Sequence, residues 1–187
     1  DAETTSLFIQ NIADIFRYNL KSLDELVPLS DELEFVSNYM SILKMRFGER
    51  IAYEYNIDKD SLGIKIPRIT LQPIIENAYI HGLQNLERNG TIRLETKVEN
   101  EVLLISIEDD GMGMTKEQVD NLINEDNAQE TAVENSNKHL SGIGVSNVIK
   151  RLKLSFQVEE NQKIIDIVST LGKGTKVILS LPLNNRL

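Results

Sequence analysis

From residue 51 onward, the sequence alternates between the hydrophobic patterns of strands and those of helices. Apolar residues at every second position predict strands at residues 51–57, 92–98, 102–107, 164–168 and 175–181. Helix-spaced apolar residues predict helices at residues 71–81, 115–123 and 145–152. The economical architecture for this order is an α/β fold, in which one layer of helices packs on one sheet.

The first 48 residues carry two helical patterns. An apolar stripe predicts a helix over residues 6–27, which Pro28 ends. A second helix begins at the capping residues Ser30 and Asp31 and ends at Gly48. Its stripe comprises Leu33, Val36, Met40, Leu43 and Phe47. The two helices could form a hairpin or a dimer stem, or the second could pack on the sheet of the same chain. We therefore predict a helical stem over residues 1–48 and an α/β domain over residues 49–187.

Composition excludes several kinds of site. The chain has 29 acidic and 20 basic residues, a net charge of −9, which argues against nucleic-acid binding but allows a local anion pocket. The absence of cysteine excludes disulfides and thiolate metal sites, and two histidines cannot form a three-histidine metal site. No apolar run reaches the length of a membrane span, and the first residues do not resemble a signal peptide. We expect a cytoplasmic protein or a cytoplasmic part of a longer one.

The helix predicted at residues 71–81 carries several polar side chains. Asn77 and His81 are four residues apart and share one face, with Glu76 beside them. An amide oxygen and a carboxylate are ligands suited to Mg²⁺, and Glu76 could also act as a general base. The alternative is a solvated polar face with no ligand.

Three glycine-rich segments follow. Asp109, Gly111 and Gly113 come directly after a strand, where a fixed carboxylate can accept a hydrogen bond from an amine such as that of adenine. Gly142 and Gly144 precede a helical pattern, and the free N–H groups of a helix start suit phosphate. The segment at residues 172–175 could be a simple hairpin turn, just as the first could be an ordinary strand-to-helix turn. Neither a P-loop nor a dinucleotide-binding fingerprint is present.

In their order and spacing, these four segments resemble the N, G1, G2 and G3 boxes of the Bergerat-type ATPases and kinases. That superfamily includes DNA gyrase B, MutL and the histidine kinases. Residues 12–18, 32–36 and 45–50, together with residues 71–78 and 142–148, further resemble the LytS/YesM-type sensor histidine kinases. The resemblance extends over about residues 9–183. It implies the Bergerat fold, an α/β sandwich of a mixed sheet with helices on one face, after part of a dimerisation region that lacks the H-box.

The resemblance also implies roles for individual residues. Asn77 would bind a Mg²⁺ ion that bridges the ATP phosphates, Glu76 would polarise the attacking imidazole, and His81 would lie near phosphate. Asp109 would bind adenine, with Thr175 behind it. The remaining nucleotide contacts implied are Gly111, Gly113, Met114, Gly142, Gly144, Val145, Asn147 and Gly174. Residues 124–141 would form the ATP lid.

The function implied is transfer of the ATP γ-phosphate to a histidine, and from there to an aspartate in a response-regulator receiver domain. The family also implies a homodimer and a membrane attachment through spans that precede this region. No part of the chain matches the H-box that carries the phosphoacceptor histidine, so we do not expect the isolated chain to phosphorylate itself. The alternatives are a nucleotide-binding module or slow ATPase, a serine kinase or anti-sigma factor on the same fold, and a purely structural dimer module.

Overall fold

The computed structural model describes residues 25–47, 50–84, 86, 88–123, 140–159 and 162–183. The strands are β1 (Leu26–Pro28), β2 (Ile51–Ile57), β3 (Lys65–Pro67), β4 (Gly90–Glu99), β5 (Val102–Asp109), β6 (Ile165–Thr170) and β7 (Gly174–Pro182). The helices are α1 (Leu29–Phe47), α2 (Gln72–Asn77), α3 (Lys116–Ile123) and α4 (Leu140–Ser155). A π-helical turn (Ala78–Leu83) continues α2, and a 3₁₀ turn (Lys59–Ser61) follows β2.

Five strands form the main sheet in the order β2-β4-β5-β7-β6. β2 runs parallel to β4, and the other neighbours are antiparallel, so the sheet is mixed as expected. On β5, Leu103, Ile105 and Ile107 are buried, whereas the residues between them are only partly buried. One face of the sheet is therefore covered and the other is more open, which confirms the two-layer α/β fold.

Local signals account for the connections. Asn100 and Glu101 both have positive φ angles in the tight turn between β4 and β5, which form the predicted hairpin. Thr115 and Gln118 form the predicted capping box before α3: the Gln118 N–H donates to Thr115 Oγ1 at 3.2 Å, and the Thr115 N–H donates to Gln118 Oε1 at 2.8 Å. Residues 124–139, which include most of the predicted ATP lid, lie outside the described residues.

The short strand β1 corrects one prediction. Leu26 and Val27 were expected to end a helix, but they pair antiparallel with Pro67 and Ile66 of β3. Val27 and Ile66 are buried. Pairing with a partner about 40 residues away has no local signature, so the helical stripe was misleading here. The rest of that predicted helix, residues 1–24, lies outside the described residues.

Helix α1 answers a question that the sequence left open. Val36, Met40 and Leu43 of its apolar stripe are buried in the core that the sheet, α2 and α4 share. The stripe thus packs within the same chain. The domain boundary at residue 48 stays a prediction. α1 precedes this boundary but packs into the core formed by residues that follow it. None of the helices in the described ranges is long and apolar enough to cross a bilayer.

Candidate nucleotide site

Asp109 ends β5 with its side chain buried. Its Oδ1 accepts a hydrogen bond from the Gly111 N–H at 2.9 Å. Burial raises the pKa of Asp109 to about 6, although hydrogen bonds from the backbone of Gly111 and Thr175 act in the opposite direction. At neutral pH the side chain is therefore mostly an ionised hydrogen-bond acceptor in a dry environment.

Gly82 brings the end of the π-helical turn against Asp109. A Cβ atom on Gly82 would lie 2.6 Å from Asp109 Oδ1, so a side chain there would have to displace the Asp109 carboxylate. A Cβ atom on Gly111 would in turn collide with the Gly82 carbonyl oxygen. That oxygen accepts a hydrogen bond from the Met112 N–H at 2.9 Å. The π-helical turn and the glycine-rich segment after β5 are thus in close contact at Gly82 and Gly111.

The π-helical turn itself departs from the predicted α-helix. The Gln84 N–H donates to the Tyr79 carbonyl oxygen at 2.8 Å, a bond that spans five residues rather than four. Such wide turns are rare and are often found at functional sites. Here the turn ends in the close contact of Gly82 with Asp109.

The turn between β6 and β7 closes another side of this region. Gly174 has φ +102°, and a Cβ atom on it would collide with the carbonyl oxygen of Asp109. Gly113 has φ +65°, and a Cβ atom there would collide with the carbonyl oxygen of Thr170. Both positions therefore require glycine for conformation and for space.

Thr175 lies opposite Asp109 in the β5–β7 pair. Its hydroxyl is 2.8 Å from Ser169 Oγ, which also accepts a hydrogen bond from the Met114 N–H at 2.7 Å. The Met114 side chain is partly buried against the core. Ser169, which the sequence did not single out, therefore links Thr175 to the segment that follows Asp109.

Helix α2 carries Glu76 and Asn77, both half-buried. Gln72 Nε2 donates to Glu76 Oε1 at 2.8 Å, and the Tyr39 phenol of α1 lies near enough to Glu76 for its pKa to respond to that carboxylate. Burial, followed by the Glu76 charge, raises the pKa of Tyr39, which keeps the phenol protonated. Asn77 Nδ2 is buried and has no hydrogen-bond partner in the part of the chain that the structure describes.

The start of α2 meets α4. A Cβ atom on Gly144 would lie 3.3 Å from Cβ of Pro73, so the helices approach closely at that point. α4 begins at Leu140, before both predicted glycines. Gly142 therefore lies in the first turn, where N–H groups lack helical acceptors, whereas Gly144 lies one turn in. The helix thus begins a few residues earlier than the apolar pattern at residues 145–152 predicted, and both glycines lie inside it.

The structure places the other predicted contacts less favourably. Val145 is 2% exposed and belongs to the hydrophobic core, and the Asn147 side chain is exposed on α4. His81 is also exposed over part of its surface, and burial of the remainder lowers its pKa below the ordinary value. A neutral imidazole at physiological pH adds little positive charge for phosphate binding.

Described parts of all four segments therefore lie in one region, connected through α2. The π-helical turn that continues α2 contacts Asp109 and Gly111 through Gly82, the start of α2 contacts Gly144, and Gly174 packs on the backbone of Asp109. The sequence patterns did not reveal Tyr39, which only long-range packing brings to Glu76. They also did not reveal Glu32, whose carboxylate binds the backbone just before α2.

Comparison with known proteins decides the family. The model of the histidine kinase-, DNA gyrase B- and HSP90-like ATPases matches residues 65–185. The chain belongs to this ATPase family. A second family model, histidine kinase, matches residues 1–51. The two matches together cover the regions that resembled sensor histidine kinases.

Curated relatives of this ATPase-family chain are sensor kinases. The chain is 33% identical to the sensor protein LytS of Oceanobacillus iheyensis over 99% of the chain's own length. It is 31% identical to the sensor histidine kinase BtsS of Escherichia coli K12 over 97% of that length. It is 28% identical to the sensor histidine kinase YesM of Bacillus subtilis over 96%. The expected LytS/YesM-type family is confirmed. The chain spans only 28–30% of the length of these three relatives.

Solved structures agree with the fold. The histidine kinase AdeS of Acinetobacter baumannii has a TM-score of 0.58 at 17% identity, covering 98% of this chain and 80% of that one. The histidine kinase domain of a blue-light activated kinase of Erythrobacter litoralis has a TM-score of 0.55 at 16% identity, covering 97% and 75%. At these identities the likeness concerns the fold alone.

Proposed function

We propose that this chain is the ATP-binding catalytic region of a sensor histidine kinase. It binds Mg·ATP and transfers the γ-phosphate to a histidine outside the chain. The observation that carries the proposal is the buried carboxylate of Asp109, surrounded by backbone that only glycine can supply. Family membership supports the ATP part, and the sensor kinase relatives support the phosphoryl transfer.

Asp109 is suited to select adenine. An ionised carboxylate only accepts hydrogen bonds, and adenine offers an exocyclic amine where guanine offers a carbonyl oxygen. Guanine would therefore bring two acceptors together in a buried place, which is unfavourable. Thr175, opposite Asp109, and the glycines at positions 111, 113 and 174 would form the wall of the base pocket.

Asn77 fits a role at the phosphates. A buried amide N–H without a partner is costly, and a phosphate oxygen would accept the missing hydrogen bond. In the described ranges no group of three or more His, Asp or Glu side chains is arranged to hold a metal ion. Mg²⁺ fits such a sparse set because it keeps several waters and takes phosphate oxygens as ligands. When bound, it would neutralise charge on the transferring phosphate.

Glu76 is the proposed catalytic residue. Gln72 Nε2 donates a hydrogen bond to its carboxylate, which orients it, and the Tyr39 phenol lies close to it. Glu76 would accept a hydrogen bond from one imidazole N–H of the incoming histidine, making the other nitrogen a better nucleophile. That nitrogen forms the bond to the γ-phosphorus as the bond to the ADP oxygen breaks. Residues Gly142 and Gly144 of α4, with Met114, Val145, Asn147 and His81, are proposed at the edges of the nucleotide.

Calorimetry with Mg·ATP and Mg·GTP tests the binding step. We expect Mg·ATP to bind and Mg·GTP to bind at least about tenfold more weakly, since one buried acceptor pair is unfavourable by a kcal/mol or more. Equal affinity for the two nucleotides would contradict the assigned base contact. No binding of either would remove the kinase proposal and leave a structural module.

Incubation with γ-labelled ATP tests the transfer. We expect phosphate on a supplied helical peptide that carries a phosphoacceptor histidine, and none on the chain alone. A phosphohistidine signal from the isolated chain that disappears on changing His81 or His139 would contradict the second expectation. Binding without transfer would favour a nucleotide-binding module or a slow ATPase. We further propose a receiver domain as the next acceptor, a homodimer, and a position on the cytoplasmic side of a membrane-bound kinase.

A further inference from the structure

Glu32 of α1 is a fully buried carboxylate that binds backbone from another part of the chain. Its Oε1 accepts the Ile69 N–H at 2.6 Å, and its Oε2 accepts the N–H groups of Thr70 and Leu71 at 2.8 and 3.1 Å. Charge-assisted bonds of this kind replace the water that a buried carboxylate has lost. They connect α1 directly to the segment that leads into α2.

That segment contains a strained residue. Ile69 has φ +55°, a conformation that is unfavourable for β-branched side chains and persists only where neighbours hold it. Glu32 binds the Ile69 N–H from α1. Arg151 of α4 donates to the Ile69 carbonyl oxygen at 2.8 Å and to the Arg68 carbonyl oxygen at 2.8 Å. Both polar backbone groups of Ile69 are therefore held, each by a different helix.

The start of α2 depends on the same contacts. Leu71 is the N-cap residue of α2, and no side chain within the helix caps this end. Glu32 binds the Leu71 N–H and so provides a cap from a distance. Glu76 and Asn77 follow within about one and a half turns, so the direction of the first turn sets where they point. α4 also meets α2 where Gly144 approaches Pro73.

We propose that Glu32 is a positioning residue for phosphoryl transfer. By holding Ile69 in its strained conformation and capping α2, it aims Glu76 and Asn77 and fixes their direction relative to α1. This inference rests on the proposed kinase function. It assigns to α1 a chemical contact with the catalytic helix in addition to its apolar packing.

The test compares Glu32→Gln with a matched control, Asp58→Asn. Gln keeps the length and one acceptor oxygen but sets an amide NH₂ against backbone N–H groups. Asp58 likewise accepts backbone N–H groups, from Asp60 at 3.0 Å and Val98 at 2.9 Å. It lies at the opposite end of the sheet, since β4 pairs with Asp109 through Ile92. Melting temperature, KM for Mg·ATP and transfer rate to the histidine peptide are measured for the wild-type chain and both variants.

We expect both variants to melt at a lower temperature, and only Glu32→Gln to lose catalysis. Its transfer rate at saturating Mg·ATP should fall about tenfold or more, with KM within about threefold of the wild type, because misplaced catalytic groups slow the chemical step. Asp58→Asn should keep both kinetic values. If Glu32→Gln does not fold, Arg151→Lys is used instead, since it releases the Ile69 carbonyl oxygen. It should likewise lower the transfer rate and leave KM nearly unchanged.

A folded Glu32→Gln variant with the wild-type transfer rate overturns the inference while the proposed function stands. So does an equal loss of rate in Asp58→Asn, which would make the effect one of stability alone. If the wild-type chain transfers no phosphate, the proposed function fails and this inference fails with it.

Discussion

Gly82 and Asp109 are in direct contact, since a Cβ on Gly82 would lie 2.6 Å from Asp109 Oδ1. The helix that carries Glu76 and Asn77 is thereby fixed to the strand end that carries the buried carboxylate. The groups proposed for base recognition and for catalysis are thus connected through a direct contact. Predictions about one group therefore involve the other.

Asp109→Asn should weaken Mg·ATP binding. An amide has one acceptor oxygen where the carboxylate has two, and its NH₂ group only donates. Loss of a buried charge-assisted hydrogen bond corresponds to a drop of about tenfold to a hundredfold in affinity. Calorimetry at pH 7.5 measures this, and unchanged affinity would count against the adenine contact. The same experiment at falling pH should show wild-type affinity declining below about pH 6, because the pKa of Asp109 is raised to about 6 by burial.

The same substitution should also stabilise the fold at neutral pH. The folded-state pKa of Asp109 is raised from 3.8 to about 6, so the ionised form is disfavoured in the folded protein. This group stabilises the fold fully below its unfolded pKa and loses that contribution as pH rises through about 6. Above that pH, Asp109→Asn should gain up to about 3 kcal/mol in the free energy of unfolding, and near pH 4 the gain should shrink to less than about 1 kcal/mol. Denaturant titration at the two pH values checks the difference; a pH-independent effect would refute this account.

Gly82→Ala should impair nucleotide binding more than folding of the rest of the chain. The added Cβ would displace the Asp109 carboxylate, the softest neighbour in that contact. We expect Mg·ATP affinity to fall about tenfold or more, since a small displacement disrupts a directional contact. Gly63→Ala is the control, because a Cβ at Gly63 meets nothing within 4 Å. Equal behaviour of the two variants in calorimetry would show that the contact does not shape the site.

Tyr39→Phe should slow phosphoryl transfer by several-fold. The substitution removes the hydroxyl that interacts with Glu76 and leaves the ring in place, so Glu76 loses a polar neighbour. Tyr53→Phe is its matched control: the buried Tyr53 hydroxyl has no hydrogen-bond partner in the described part of the chain, so removing it should be neutral or stabilising. Transfer rates and melting temperatures of both variants are compared. A larger kinetic loss in Tyr53→Phe than in Tyr39→Phe would be inconsistent with this assignment.

Asn77→Asp should change the Mg²⁺ dependence of ATP binding. A carboxylate attracts the cation but repels the phosphates, so affinity should fall most at low Mg²⁺ and recover partly as Mg²⁺ is raised. Calorimetric titrations over a series of Mg²⁺ concentrations measure the effect. Asn56→Asp, the same change at an exposed strand residue, is expected to leave the Mg²⁺ dependence as in the wild type. A uniform loss at every Mg²⁺ concentration would argue against a role near the metal.

Much of the sheet and its connections could be predicted because their signals are local. The β4–β5 hairpin follows from alternating residues on either side of a turn, and the Thr115–Gln118 capping box follows from spacing alone. Asp109 was a candidate for the same reason, because a carboxylate followed by glycines ends a strand there, although that pattern also fits an ordinary strand-to-helix turn. In each case the residues that interact are close in sequence.

The features that could not be predicted depend on distant partners. The sequence pattern around Leu26 and Val27 is that of a helix, but the two residues form a strand because they pair with β3. Glu32 reads as an ordinary acidic residue in the first turn of a helix, and nothing near it in sequence indicates that it binds the Ile69 backbone. The role of Tyr39 has the same origin. Only tertiary packing brings these groups together, so the hydrophobic pattern and the helix propensity of the sequence cannot predict these contacts.

The contacts around Asp109 involve main-chain atoms of Gly82, Gly111 and Gly174. This limits the substitutions by which the protein could become resistant to an inhibitor bound there. An inhibitor that binds the Asp109 carboxylate and the neighbouring backbone would meet surfaces that substitution barely alters. Changes at Gly82, Gly111 or Gly174 introduce collisions with Asp109 or with one another's backbone, and a change at Asp109 removes the proposed contact to ATP itself. Substitutions that confer resistance should therefore arise outside Gly82, Gly111 and Gly174. An inhibitor that contacts these three glycines and Asp109 should keep its activity for longer.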